Sequence, residues 1–201
     1  EGMTAGLMPG AVDALGISRD SVETVVYTHM HYDHIGGSQR DGKIVFPNAR
    51  HVIHANEWEH WKTVDSDFAT AARRIMKPLF DAGVVDFVDG DTEILPGVTA
   101  IEKFGHTPGH MSVTIDTGAA NIFVGGDLSN HPFQVEHPDW SLPVDNDHAL
   151  AGTVRDRVFE DLRDTETRFV APHYPMPGVG SIVTDDGVRV YRPTPIPSRT
   201  S

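Results

Sequence analysis

Short apolar runs alternate with amphipathic stretches along the chain, and the two patterns predict different elements. Residues 22–28, VETVVYT, are apolar and β-branched and predict a buried strand. Shorter strands are expected in 43–47, KIVFP, and in 49–55, ARHVIHA. Helical spacing follows in 56–64, NEWEHWKTV, and in 66–83, SDFATAARRIMKPLFDAG, with Asn56 and Ser66 as N-caps. Ahead of these, 2–15 predicts a helix that stops at Gly16. Residues 84–89, 98–105, 111–118 and 121–127 alternate or run apolar between Gly, Pro and Asp breakers, the pattern of a sheet. Residues 145–164 predict one long amphipathic helix, and 168–174, 180–187 and 188–193 predict closing strands. The Pro- and Ser-rich stretch 193–201 reads as a flexible tail.

Polar residues of one kind recur where these strands end. His29 follows VETVVYT, Asp127 follows NIFVGG, His173 follows RFVAP, and His110 opens the strand after GHTPGH. Side chains at strand tips on a rigid scaffold are a common way for sheets to present function. The stretch THMHYDHIGG, 28–37, packs His29, His31, Asp33 and His34 into six residues. Buried unpaired, such groups are costly to desolvate, so the loop needs open water or a shared cation. On extended backbone His29 and His31 point the same way. A turn through Gly36 and Gly37 lets Asp33 and His34 fold back from another direction. His106 reads as a partner standing behind a ligand rather than as a ligand. His51, His54, His60, His137 and His148 read as surface or half-buried residues without a role.

Composition narrows the chemistry. The chain has 201 residues, enough for one domain with a sizeable core, and no cysteine. Disulfides and thiolate sites are excluded, so a metal would be held by imidazole and carboxylate, which suits zinc, iron, manganese or cobalt. The formal charge of -13 disfavours nucleic acid and anionic membranes as partners. No run of about 18 apolar residues predicts a membrane span. The expected partner is a small-molecule substrate, with a homodimer left open. The expected setting is soluble, with cytoplasmic and periplasmic or secreted locations both open because the chain begins at Glu1.

Taken together, HMHYDH (29–34), GHTPGH (105–110), GGD (125–127) and PHY (172–174) resemble the metallo-β-lactamase superfamily of hydrolases, in order and spacing, over about 22–191. Within it, the stretches beginning GGDLSNHPF, DNDHALAG and PHYPMPG are similar to quorum-quenching lactonases and methyl-parathion-hydrolase-like enzymes. The resemblance implies an α/β fold, an αββα sandwich with metals at one edge of two packed sheets, and a single domain over 1–201. It implies that this chain, starting near the first helix, lacks the leading N-terminal strands. It implies two divalent ions, zinc before manganese, iron or cobalt. His29, His31 and His110 would hold the first ion, Asp33, His34 and His173 the second, and Asp127 both. Asp33 and Asp127 are the catalytic carboxylates in this reading. The implied reaction is hydrolysis of esters, lactones or aryl phosphotriesters by a hydroxide shared between the metals. A β-lactamase, a mononuclear iron oxidoreductase and a non-catalytic metal-stabilised module are the alternatives. Lactonases carry a tyrosine three residues after the bridging aspartate; here Asn130 stands there, followed by His131, and both are expected to donate to substrate. Met30, Tyr32, Phe133 and Trp140 are candidates to line the pocket.

Overall fold

The computed structural model describes residues 8–195, and these divide between Asp89 and Gly90 into two compact units. The first six residues of the expected 2–15 helix, and the tail beyond residue 195, lie outside the described residues. The part of that helix that is described is α1, Met8–Ala14, followed by Gly16 at φ +72, the left-handed conformation expected of a helix stop.

In the unit before Asp89, three strands pair in parallel in the order β1 (Thr24–Val26), β4 (Arg50–His54), β5 (Val85–Val88). Parallel neighbours need crossover connections. The first crossover holds the single-turn helix α2 (Tyr32–Ile35) and a small hairpin of β2 (Gln39–Arg40) and β3 (Lys43–Ile44). The second holds α3 (Ala55–Thr63) and α4 (Asp67–Asp81). Helix α4 buries Ala69, Ala72, Met76 and Leu79, spaced three and four apart as a helical face must be. These pack on Tyr27, Met30, Ile35, Ile53 and Trp61. Ser66 caps α4 as expected, accepting from the Ala69 amide at 3.1 Å. The cap of α3 is His54 rather than Asn56: its Nδ1 accepts from the Asn56 amide at 3.1 Å. Central strand β4 also buries His51 and His54 completely, where the sequence suggested surface or half-buried residues. His51 is satisfied there by the Tyr27 hydroxyl at 2.8 Å and the Phe46 carbonyl at 3.3 Å.

The first described strand begins at Thr24, and β1 forms an edge of this sheet. Among the described residues no strand precedes it.

The unit after Gly90 is built on a seven-stranded sheet. Its members are β6 (Thr92–Leu95), β7 (Val98–Glu102), β8 (Met111–Asp116), β9 (Asn121–Val124), β10 (Arg168–Val170), β11 (Val179–Asp185) and β12 (Val188–Pro193), ordered β12-β11-β10-β9-β8-β7-β6. All neighbours are antiparallel except β9 and β10. Their crossover carries the short helix α5 (Phe133–Glu136) and the long helix α6 (His148–Leu162). Helix α6 turns Ala151, Arg155, Val158, Phe159 and Leu162 inward, and Phe159 stacks edge-on against Phe169 of the sheet. Burying a side chain like Phe159 stabilises by roughly 1.5–3 kcal/mol. The parallel pair β9 and β10 ends just before Asp127 and His173, so this crossover sets both.

Candidate metal centre

The loop leaving β1 carries the first candidate ligand set. His29 is fully buried, and its Nε2 lies 3.1 Å from Nδ1 of His31, with the rings edge-on at 86°. His31 precedes α2, whose single turn then presents Asp33 and His34, Asp33 Oδ2 lying 3.5 Å from His34 Nε2. The His34 ring stacks at a tilt on His29, centroids 4.1 Å apart. The Thr28 hydroxyl contacts His29 Nδ1 at 3.1 Å, which leaves Nε2 as the nitrogen directed at His31.

What holds this loop is a carboxylate that sequence reasoning passed over. Glu57 on α3 is 1% exposed, and its Oε1 accepts from the Met30 amide at 2.8 Å and from Trp61 Nε1 at 2.6 Å. Met30 lies between the two histidines, and the Trp61 ring supports His31 edge-on at 5.3 Å. Glu57 and Trp61 are four residues apart, so they share a helix face. A glutamate aligned with a tryptophan on the inner face of NEWEHW was the available signal. Met30 itself is fully buried, and Tyr32 stacks on Phe68 at 5.8 Å. Met30 therefore belongs to the core rather than to a pocket wall.

In the second unit, the turn after β9 sets Asp127. A side chain at Gly125 would meet the Phe169 ring at 2.7 Å, and Gly126 has φ +57, so both glycines are required. Asp127 is 4% exposed, with φ -94 and ψ 25, in the bridge region often used by active-site residues. Its two oxygens face different imidazoles: Oδ2 is 3.3 Å from His106 Nε2, and Oδ1 is 3.3 Å from His173 Nε2.

The structure gives His106 and His110 different partners. Both nitrogens of His110 serve the backbone. Nδ1 meets the Lys103 carbonyl at 3.0 Å, and Nε2 accepts from the Asp127 amide at 3.0 Å. That ring braces Asp127 from behind. His106 is the ring whose Nε2 faces the carboxylate, and its Nδ1 lies 2.8 Å from Asp145 Oδ1. With Nδ1–H donated to Asp145, the Nε2 lone pair faces Asp127, an arrangement suited to a shared cation. The two histidines lie four apart in one loop, and only tertiary structure tells them apart.

Asn130 and His131 do not both reach outward. Asn130 Nδ2 donates to Asp127 Oδ2 at 2.7 Å, and its backbone amide donates to Gln134 Oε1 at 2.8 Å. His131 is exposed, its Nδ1 accepts from the Phe133 amide at 3.2 Å, and its ring rests on Phe133. Phe133 and Trp140 are exposed. Beneath them Ser129 bonds the Tyr174 hydroxyl at 2.7 Å, and burial raises that phenol's pKa. Asp145 is buried. Desolvation alone would raise its pKa, but hydrogen bonds from His106 and the Leu142 amide, with the charge of Arg155, bring it below the usual value.

The family model of the metallo-beta-lactamase superfamily matches residues 3–173. The chain belongs to this superfamily. Several of the proteins it is similar to are named as N-acyl homoserine or quorum-quenching lactonases. The superfamily chain is 34% identical over 115 residues to the N-acyl homoserine lactonase AttM of Azorhizobium caulinodans, covering 52% of this chain and 40% of that protein. It is 26% identical over 128 residues to an N-acyl homoserine lactonase of Bacillus thuringiensis, covering 62% and 46%. The match thus spans under half the length of these curated relatives. Among solved structures, AidC, a dizinc quorum-quenching lactonase in complex with a product, superposes with TM-score 0.87 at 24% identity, covering 98% of this chain and 72% of that one. The hydrolase AbOPH gives 0.86 at 25%, covering 97% and 72%. The metallo-β-lactamase fold expected from the motifs is the fold observed. No described helix is long and apolar enough to cross a membrane.

Proposed function

We propose that residues 1–201 form one metallo-β-lactamase domain that acts as a dinuclear metal-dependent hydrolase of lactones and esters, with aryl phosphotriesters as secondary substrates. His29, His31 and His106 would hold one ion and Asp33, His34 and His173 the other, with Asp127 shared. His106 takes the place first assigned to His110. The observation that carries this reading is Asp127, whose two oxygens each face a separate imidazole nitrogen at 3.3 Å. A carboxylate so arranged suits one oxygen to each of two cations. The donor set is imidazole and carboxylate throughout, which fits zinc and also manganese, iron or cobalt.

Bound divalent ions supply Lewis acidity and lower the pKa of water toward neutrality. The remaining work belongs to the chain. Asp127 sets the spacing of the two ligand groups, and Asn130 orients it through Oδ2. Asp33 is the most exposed of the candidate carboxylates and is the residue we assign to carry the proton to the departing oxygen. His131, exposed beside Phe133 and Trp140, is the side chain assigned to meet substrate. Relatives named as lactonases support the substrate class.

The test is a side-by-side screen of an acyl lactone, an aryl ester, an aryl phosphotriester and a β-lactam on one zinc-loaded batch of known metal content. Lactone and ester turnover at about two zinc ions per chain is expected. A β-lactam preferred by tenfold or more in kcat/KM, or a single iron with no hydrolysis, would overturn the reading.

A further inference from the structure

The guanidinium of Arg155 is fully buried in α6. Taking such a charge out of water is costly, and an apolar side chain of similar volume is often as stable or more so. A stability argument therefore does not explain why α6 turns an arginine inward between Ala151 and Val158. Its contacts do. Nε donates to the Leu128 carbonyl at 2.7 Å, the residue directly after Asp127. Nη1 donates to the Pro138 and Trp140 carbonyls at 2.7 and 2.9 Å, and Nη2 lies 3.4 Å from Asp145 Oδ2. Asp145 in turn takes the Leu142 amide on Oδ2 at 3.1 Å and His106 Nδ1 on Oδ1 at 2.8 Å. His106 Nε2 then returns to Asp127.

The contacts form a closed circuit that begins and ends at Asp127, through its following carbonyl on one side and its carboxylate on the other. The backbone of the same loop is tied to the same helix. The Asn146 amide donates to the His106 carbonyl and the Asp147 amide to the Gly105 carbonyl, each at 2.9 Å. Gly105, at φ +131, sits so close to α6 that a Cβ there would fall 2.5 Å from the Ala151 backbone. Helix α6 thus sets the position of His106, and Asp145 holds its Nδ1 at 2.8 Å.

We infer that Asp145 and Arg155 are positioning residues for the metal centre, acting through His106 to hold its ring with Nε2 aimed beside Asp127. This rests on the proposed dinuclear reading, and its test is read in zinc retention as well as in rate. Asp145→Asn keeps the shape but turns an NH2 group toward either His106 or the Leu142 amide and Arg155. Arg155→Met strands a buried carboxylate and is expected to fold poorly. The double variant Asp145→Asn/Arg155→Met removes both charges and is expected to recover the melting temperature. Asp147→Asn, which keeps the cap on the Leu150 amide at the start of the same helix, is the control.

The measurement is zinc content after dialysis, the rate of zinc loss to a chelator, and kcat and KM on an aryl ester. Asp145→Asn and the double variant should lose zinc about 10–100-fold faster and drop kcat comparably, with KM within a few-fold. Asp147→Asn should match the wild type in both. Zinc retention at the wild-type rate in the double variant would overturn the inference, since folding would then be all that the pair supports. If the wild type holds zinc but hydrolyses none of the substrate classes, the hydrolase reading falls while the zinc comparison still decides the positioning roles. A wild type that binds no zinc would sink both.

Discussion

The loop after β1 gathers His29, His31, Asp33 and His34 within six residues, whereas His106, Asp127 and His173 come from three loops widely separated in sequence. The two regions are supported in correspondingly different ways. The first rests on one carboxylate, Glu57, with its helical neighbour Trp61. The second rests on a network drawn from α6 and the residues around it: Arg155, Asp145, Gln134 and Tyr174. Ligands close in sequence need one brace to fix the loop, because the chain itself limits how far they can part. Ligands from separate loops have no such limit, so each needs its own anchor.

The largest effect should come where the distributed set converges. Asp127→Asn keeps the shape but removes the charge facing both imidazoles. Turnover is expected to fall by more than the ~10–100-fold typical of a supporting residue, with loss of at least one ion by elemental analysis and little change in far-ultraviolet circular dichroism. Wild-type turnover would reduce Asp127 to a turn residue.

Next is the single brace of the local set. Glu57→Ala leaves the Met30 amide and the Trp61 indole N–H buried without their acceptor, at about 1–3 kcal/mol for each donor. Urea denaturation should register a loss of about 2–6 kcal/mol, and the dialysed protein should retain less zinc. A variant as stable as the wild type would show that the local loop holds itself.

Asn130→Ala should do less. It removes one hydrogen bond to Asp127, about 1 kcal/mol, or about fivefold in kcat. If the loss instead appears in KM alone, Asn130 acts on substrate, as the sequence suggested, and not on the carboxylate.

The smallest effect contrasts the buried phenols. Burial raises the pKa of Tyr27 from 10.0 to about 12, with the Ser38 side chain opposing. In the unfolded chain the phenol ionises near 10, so its contribution is complete below that pH and is lost as pH rises through about 12. The stability difference between wild type and Tyr27→Phe should therefore shrink across that interval. A difference independent of pH would mean that Tyr27 titrates normally in the folded protein.

The same contrast explains what was legible beforehand. The strand β1, helix α4 with its Ser66 cap, and the ligand loop are local patterns, and each could be read from neighbouring residues. β6 escaped notice because TEIL is only four residues long. Glu57 reads as a solvated helix glutamate; its alignment with Trp61 is the one local hint, and its acceptance of the Met30 amide is set by tertiary structure. His106 and His110 were interchangeable because which ring faces Asp127 depends on Lys103, Asp145 and the backbone amide of Asp127. Asp145 and Arg155 read as ordinary polar residues ahead of and in the middle of a helix. The supports were hidden because their partners are distant along the chain, although their chemistry is as specific as that of the ligands.

The placement of α6 also orders events during synthesis. His106 and Asp127 leave the ribosome before the helix that orients them, and β10, which carries the chain toward His173, follows that helix. Chains are made from the amino end, and long-range parallel pairing such as that of β9 with β10 forms slowly because loop closure precedes its reward. A cation met early in translation would find only the His29–His34 loop. On the proposed metal reading, cation capture by the full ligand set would be a late step in the protein's maturation, and translation pauses or truncations within 145–162 would yield chains that still bear the histidine motif yet lack the helix that steadies His106.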